Sequence, residues 1–282
     1  MATRRNFLGL IGGLGLALLP LARAQSPVRR AEPLKMGVHP YNSALALIAT
    51  HRPLTDYLDK TLGRDVELFT APDFDSYLKA LLAGEYDLAI CPPHFAAMAM
   101  EKGYVPLFHY KTRLEPIMAV RADSALRSVA DFRGKRIAMA DHTAFIRIVM
   151  VKWLEDQGLR AGYDYQVVEK PTHGAAIAAV SLGEADAGLG TATILRLVPA
   201  DVRAQLRVMS FGLSFPHVVT MAHRRLGDAM LATLRAALLA FPATVGGKEF
   251  FGKMEVGGYD VMTADDLRVV QPYVKYQHLQ HR

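Results

Sequence analysis

The sequence predicts an α/β protein in which strands and helices alternate along the chain. Three features predict it. Short apolar runs recur, and most are followed by a stretch with apolar residues at helical spacing. Gly or Pro punctuates most boundaries between them. Hydrophobic residues fill 51% of the 282 positions, enough for large cores and too many for a disordered polyelectrolyte.

The first strand is expected at 34–38, ending at His39-Pro40. Residues 44–62 read as a helix, with Gly63 in the left-handed position that ends many helices. A strand at 66–70 and a helix at 74–83 follow; Leu78, Leu81 and Leu82 share one face of that helix, and Gly84 ends it. Residues 88–91 read as a short buried strand stopped by Pro92-Pro93, then 94–102 as a helix and 105–110 as a strand. Further strands are expected at 117–121, 136–140, 166–169, 187–191, 206–210 and 218–222, with a helical turn at 129–134 and helices at 145–157 and 174–182. Two or three helices fill 228–280, broken at Pro242 and at Gly257-Gly258. Repeats and low-complexity linkers are not evident. Such alternation implies mostly parallel sheets covered by helices, with ligands bound beyond the carboxyl ends of the strands.

The N-terminus reads as an address. Thr3-Arg4-Arg5-Asn6-Phe7-Leu8-Gly9 precedes an apolar run at 10–19 and then Ala22-Arg23-Ala24. A charged start, a short apolar stretch and a small-x-small site make residues 1–24 a cleaved export signal. Paired arginines before Phe7-Leu8 are of the twin-arginine kind. The apolar run is too short to cross about 30 Å of hydrocarbon comfortably. Cleavage removes Arg4, Arg5 and Arg23 and no acidic residue, which halves the formal net charge of +6. The remainder gives little reason to expect nucleic acid. Without a later membrane-length stretch or a Cys after the cleavage site, the mature chain is expected in the periplasm, with no stable membrane insertion.

Chemistry-bearing motifs are sparse. One Cys excludes an internal disulfide framework and a four-Cys zinc site. No G-x-S-x-G, H-E-x-x-H, P-loop or G-x-G-x-x-G occurs. No catalytic residues, cofactor or metal are therefore expected. His278 and His281 sit three apart near the C-terminus, where a solvated tail is the simpler reading. Attention falls instead on the strand-to-helix junctions, rich in hydroxyls, imidazoles and the N–H groups of helix starts, which favour anions. These include His39-Pro40-Tyr41-Asn42-Ser43, Cys91-Pro92-Pro93-His94-Phe95, Asp141-His142-Thr143-Ala144, Lys170-Pro171-Thr172-His173-Gly174 and Gly190-Thr191-Ala192-Thr193. Cys91 is either an inert buried thiol or, with His94, a soft site for a metal or metalloid. His173 either caps its helix or meets a ligand. Asp141 is a helix-cap candidate, or else a ligand or hinge contact. Arg147 is either solvent-exposed or an anion partner.

Two stretches go beyond generic α/β. One runs from Asp75 through Tyr77, Gly84, Asp87 and Ala89 to Cys91-Pro92; the other runs from Thr172-His173 through Ala179-Val180, Gly183 and Asp186 to Gly188. Both resemble the PhnD-like phosphate/phosphite/phosphonate-binding proteins of ABC transporters, and Val129-Ala130-Asp131-Phe132-Arg133-Gly134-Lys135 fits the same pattern. The resemblance covers roughly residues 34–276. It implies a type II periplasmic binding protein: two α/β lobes, a ligand cleft between them and two crossover segments. One lobe would comprise 31–115 with 215–282, the other 116–214.

The resemblance also implies a role. A solute-binding protein would capture a small anionic or polar ligand and deliver it to an ABC transporter permease, or report it to the periplasmic domain of a sensor kinase, as a monomer. An exported enzyme on the same fold and a metalloid binder using Cys91 remain the alternatives. Ligand contacts are expected from Tyr41, Cys91, His94, Phe95, Thr143, Phe145 and His173. Phosphonate binders of the family carry Ser-Thr-Ser-Gly where this chain has Thr143-Ala144-Phe145-Ile146, and a Gly-Pro turn with Tyr where it has Cys91-Pro92-Pro93-His94-Phe95. Each lost hydrogen bond to an anion costs about 1.5–3 kcal/mol. A changed ligand is therefore expected: a small carboxylate, an organic anion or a soft oxyanion against the apolar walls of Phe95 and Phe145.

Overall fold

A computed structural model describes residues 32–280; the expected export signal and His281 lie outside the described residues. The chain begins with β1 (Leu34–Val38), α1 (Ala44–Leu62), β2 (Val66–Phe69), α2 (Phe74–Leu82), β3 (Leu88–Cys91), α3 (Pro93–Met100) and β4 (Tyr104–Tyr110). It crosses into β5 (Pro116–Arg121), β6 (Arg136–Met139), α4 (Phe145–Asp156), β7 (Gln166–Glu169), α5 (His173–Ser181), β8 (Ala187–Thr191), α6 (Ala192–Leu197), α7 (Ala200–Arg203) and β9 (Leu206–Ser210). It then returns through β10 (Val219–His223), α8 (Asp228–Ala240), α9 (Val245–Met254), β11 (Tyr259–Asp260) and α10 (Ala264–Gln280).

Side-chain caps set at least half of the ten helix starts among the described residues. Ser43, Asp73, Thr172, Thr191 and Thr244 each accept a hydrogen bond from a first-turn N–H, satisfying donors that have no partner within the helix. Gly63 closes α1 at φ 59°, a conformation that costs a residue with a Cβ. Helices α6 and α7 and the two-residue β11 were not foreseen, because each is too short to show a period.

Two sheets result, with orders β11-β4-β10-β3-β1-β2 and β7-β6-β8-β5-β9. The mostly parallel expectation needs correcting, since each sheet is parallel on one side and antiparallel on the other. Strands linked by a helix crossover are parallel: β1 to β2 and β3, and β6 to β7 and β8. The strands flanking the passages between sheets are antiparallel: β10 to β3 and β4, and β5 to β8 and β9. The first lobe carries the six-stranded sheet and the second the five-stranded one. Two passages join them, from Tyr110 to Pro116 and from Ser210 to Val219, bridged by Leu114 and Phe215. The C-terminal helix α10 follows first-lobe elements, yet Val270 is buried in the second lobe's core and Tyr273 stacks edge-on against Phe145 at 5.7 Å.

Candidate functional site

The lobes meet over a cavity of about 50 Å³, room for a few waters or a small molecule. The first lobe contributes His39 and Tyr41 from the turn after β1, Phe74 from the start of α2, Ile90 and Pro92 from the end of β3, Tyr110, Met254 and Val218. The second contributes Phe145 and Ile146 from the start of α4, His173 from the start of α5, and Thr191, Thr193 and Ile194 around the start of α6. Leu114 and His217 enter from the two passages. Strand ends and helix starts thus face one another, as α/β sheets dictate.

The lobes are in contact around this cavity. His94 Nε2 donates to the Thr143 carbonyl across the interface at 2.9 Å. Arg196 pairs with Glu255 at 3.1 Å and donates to the Met254 carbonyl at 3.4 Å. A Cβ on Gly174 would lie 2.9 Å from the Asn42 side chain, so α5 approaches the β1–α1 turn closely.

Lining residues of the cavity include no Lys, Arg, Asp or Glu among the described residues. Its polar groups are imidazoles and hydroxyls. Burial lowers the His39, His173 and His217 pKa values to about 3, reinforced by His51 beside His39 and by His39 beside the other two, so the rings are neutral at physiological pH. His173 Nδ1 and the Tyr110 hydroxyl are buried without a hydrogen-bond partner. Thr191 Oγ1 accepts the Ile194 N–H at 3.2 Å, which leaves its hydroxyl proton to donate. Among the described residues, His, Cys, Asp and Glu form no group arranged to hold a metal ion.

The expected contacts divide. Tyr41, Phe145 and His173 line the cavity. Cys91 and Phe95 do not: they point to the other face of β3, into a core with Phe74, Tyr77 and Tyr104. The Cys91 thiol lies 3.8 Å from Met221 Sδ, and burial pushes its pKa up, so it is no soft-ligand site beside His94. His94 and Thr143 are spent on each other, and the Thr143 hydroxyl donates to Asp141 at 2.7 Å. Asp141 caps nothing in α4, whose N-cap is Ala144; it closes the turn before it by accepting the Thr143 N–H. Thr172, not His173, caps α5. Arg147 is not an anion partner in the cavity, because it donates to the Ala140 carbonyl and to Glu169 at 2.7 and 2.8 Å.

His39, Tyr110, Ile146, Thr191, Thr193 and His217 also line the cavity, and the sequence did not single them out as candidate contacts. His39, Thr191 and Thr193 stood in the junctions already singled out. Tyr110 and His217 carried no such signal, because they flank the passages between lobes. The hydroxyls missing at 143–146 have counterparts here in Tyr110, Thr191 and Thr193.

The family model described as "ABC transporter, phosphonate, periplasmic substrate-binding protein" matches residues 36–267. PhnD1 from Prochlorococcus marinus, solved with methylphosphonate, is similar with 13% identity over 88% of this chain and 98% of its own, at a TM-score of 0.78. A binding protein component of an ABC phosphonate transporter from Pseudomonas aeruginosa has 15% identity over 89% and 90%, at a TM-score of 0.77. XAC2383 from Xanthomonas citri, solved with a chloride ion, has 18% identity over 89% and 99%, at a TM-score of 0.69.

Proposed function

The chain belongs to the family of phosphonate periplasmic substrate-binding proteins of ABC transporters, and from that premise we propose that its cleft captures a small oxyanion of low charge with a short apolar substituent. The observation that carries this is a small cavity whose polar groups are hydroxyls and neutral imidazoles, His173 at the start of α5 among them, set against Phe74, Phe145, Ile146 and Ile194. Neutral donors and a helix N-terminus suit a compact oxyanion. The aliphatic and aromatic wall suits a methyl-sized group rather than a second polar end. No carboxylate on the lining pairs with an ammonium group, so amine-bearing ligands should bind poorly.

The ligand is delivered to the membrane component of an importer, by a protein that performs no chemistry on it. The mature monomer works in the periplasm after twin-arginine export and cleavage after residue 24. Its lobes, 31–115 with 215–282 and 116–214, close on the ligand about the two passages. Titration calorimetry with methylphosphonate, acetate and methanesulfonate, paired with small-angle scattering, tests the reading. At least one should bind and compact the protein. His173→Ala should weaken that binding about tenfold or more, through a lost contact to a buried anion. A folded protein that binds none of these acids would sink it.

A further inference from the structure

Resting on the reading of the cleft as an oxyanion site, we infer that it selects an oxyacid that still holds one proton, a singly charged head group with one P–OH-type donor, over an anion of the same shape with none. Two histidine rings carry the argument. His39 Nδ1 lies 3.1 Å from the Ile90 carbonyl oxygen. A carbonyl only accepts, so the ring hydrogen sits on Nδ1, and Nε2 of the neutral ring is a bare lone pair. His217 is the reverse. The Val218 N–H donates to its Nδ1 at 2.8 Å, so the ring hydrogen sits on Nε2.

Both rings line the same cavity and are at least nine-tenths buried. Their tautomers are set by main-chain groups of β3 and of the residue leading into β10, two strands that pair with each other. Neither partner can rotate to suit a ligand. The cavity's hydroxyls can turn and either donate or accept. His39 Nε2 can only accept, and His217 Nε2 can only donate. A head group with one hydroxyl and one bare oxygen satisfies both. An anion with no proton sets an oxygen lone pair against the His39 lone pair and leaves a buried acceptor unmet.

The surroundings hold this arrangement. His39 is faced by Tyr41 in its own turn, His51 from α1, Tyr77 from α2, His94 from α3 and His173 from α5. His217 is faced by Tyr110 and His109 from β4 and by His39. Asp266 is the nearby carboxylate, 3.7 Å from His109 and paired with Arg113. None of these supplies a fixed charge next to either ring, and burial keeps both rings neutral.

The test compares methylphosphonate with methanesulfonate, similar in shape but without an ionisable hydroxyl, by calorimetry on the mature protein. An alkylphosphonate is a weaker acid than a phosphate ester, whose second ionisation lies near about 6, so it is chiefly singly charged at about pH 6.5 and doubly charged at about pH 9. Methylphosphonate should bind at least about tenfold tighter than methanesulfonate at the lower pH, and should weaken at the higher one. In His39→Gln the side-chain amide can offer its NH2 to the ligand, and the two affinities should converge to within about threefold. Equal wild-type affinities, or tighter methylphosphonate binding at about pH 9, would overturn the tautomer pair and leave the oxyanion site standing. Failure of both ligands while acetate binds would overturn this inference alone; failure of all three to bind folded protein would overturn the oxyanion reading itself, and this inference with it.

Discussion

His94 Nε2 donates to the carbonyl of Thr143 at 2.9 Å, and the bond joins α3 of the first lobe to the turn before α4 of the second. Both residues are fully buried, so each partner would be left unmet if the other were removed. His94→Ala should therefore destabilise the closed arrangement by about 1–3 kcal/mol. The ligand-free protein should scatter as a more open particle and melt earlier. His94→Gln, able to reach the same carbonyl, should recover part of the loss. Identical scattering and melting in His94→Ala would show that this bond holds nothing closed.

Five buried histidines tie stability to pH. Burial lowers His39, His94, His173 and His217 to about 3 and His51 to about 4, from an ordinary 6.5. Below the ordinary value the unfolded chain takes up protons that the folded chain refuses. Stability is therefore complete above about pH 6.5 and is lost as pH falls toward the folded values, by up to about 1.4 kcal/mol per pH unit for each ring. Thermal melting should be level from about pH 8 to 7 and decline steeply below about 6. Equal melting temperatures at about pH 7.5 and 5 would contradict neutral burial of these rings.

Gly188 decides how closely α5 lies on β8. A Cβ there would sit 2.3 Å from the Ala176 carbonyl oxygen, a backbone atom that cannot swing away. Gly188→Ala should push α5 outward, carry His173 with it, and lower both melting temperature and affinity. At Gly190 the clash is with Ile177 Cδ1 at 2.5 Å, the tip of a side chain that can change rotamer. Gly190→Ala should cost less on both measures, and the reverse order would refute this account of the α5 seat.

Cys91 is fully buried against Met221, and its thiol pKa is raised. Native protein should resist alkylation at neutral pH and react only on unfolding. Cys91→Ala should leave ligand affinity unchanged. Rapid labelling of the native protein, followed by mass spectrometry, would return the thiol to the candidate site.

Much of the cleft was legible because strand-to-helix junctions announce themselves locally. The breaks at Pro40, Pro92 and Pro171, and the caps Asp73, Thr172 and Thr191, mark where strands end and helices begin. The geometry of such units puts those ends on one side of each sheet. Cys91 shows where that reasoning stops. All four residues of β3 are buried, so no polar alternation marks its faces. Leu88 and Ile90 pack toward one core, Ala89 and Cys91 toward another, and Ile90 alone of the four reaches the cavity.

The sequence by itself determined the alternation of strands and helices, the family and its two-lobed plan, and the expectation of an N-terminal export address. Each is written in contiguous residues: periodicity, turn chemistry, caps and a motif pairing His173 with Gly183 and Asp186. The tertiary structure decided which junctions face one another across the cleft. It spent His94 on Thr143 and Arg147 on Glu169, brought Tyr110 and His217 in from the passages, and laid α10 across both lobes. The reason is physical. A side chain's local pattern sets its element and its face, but its partner, and hence its charge, tautomer and freedom to meet a ligand, comes from residues that only the closing of two sheets brings near.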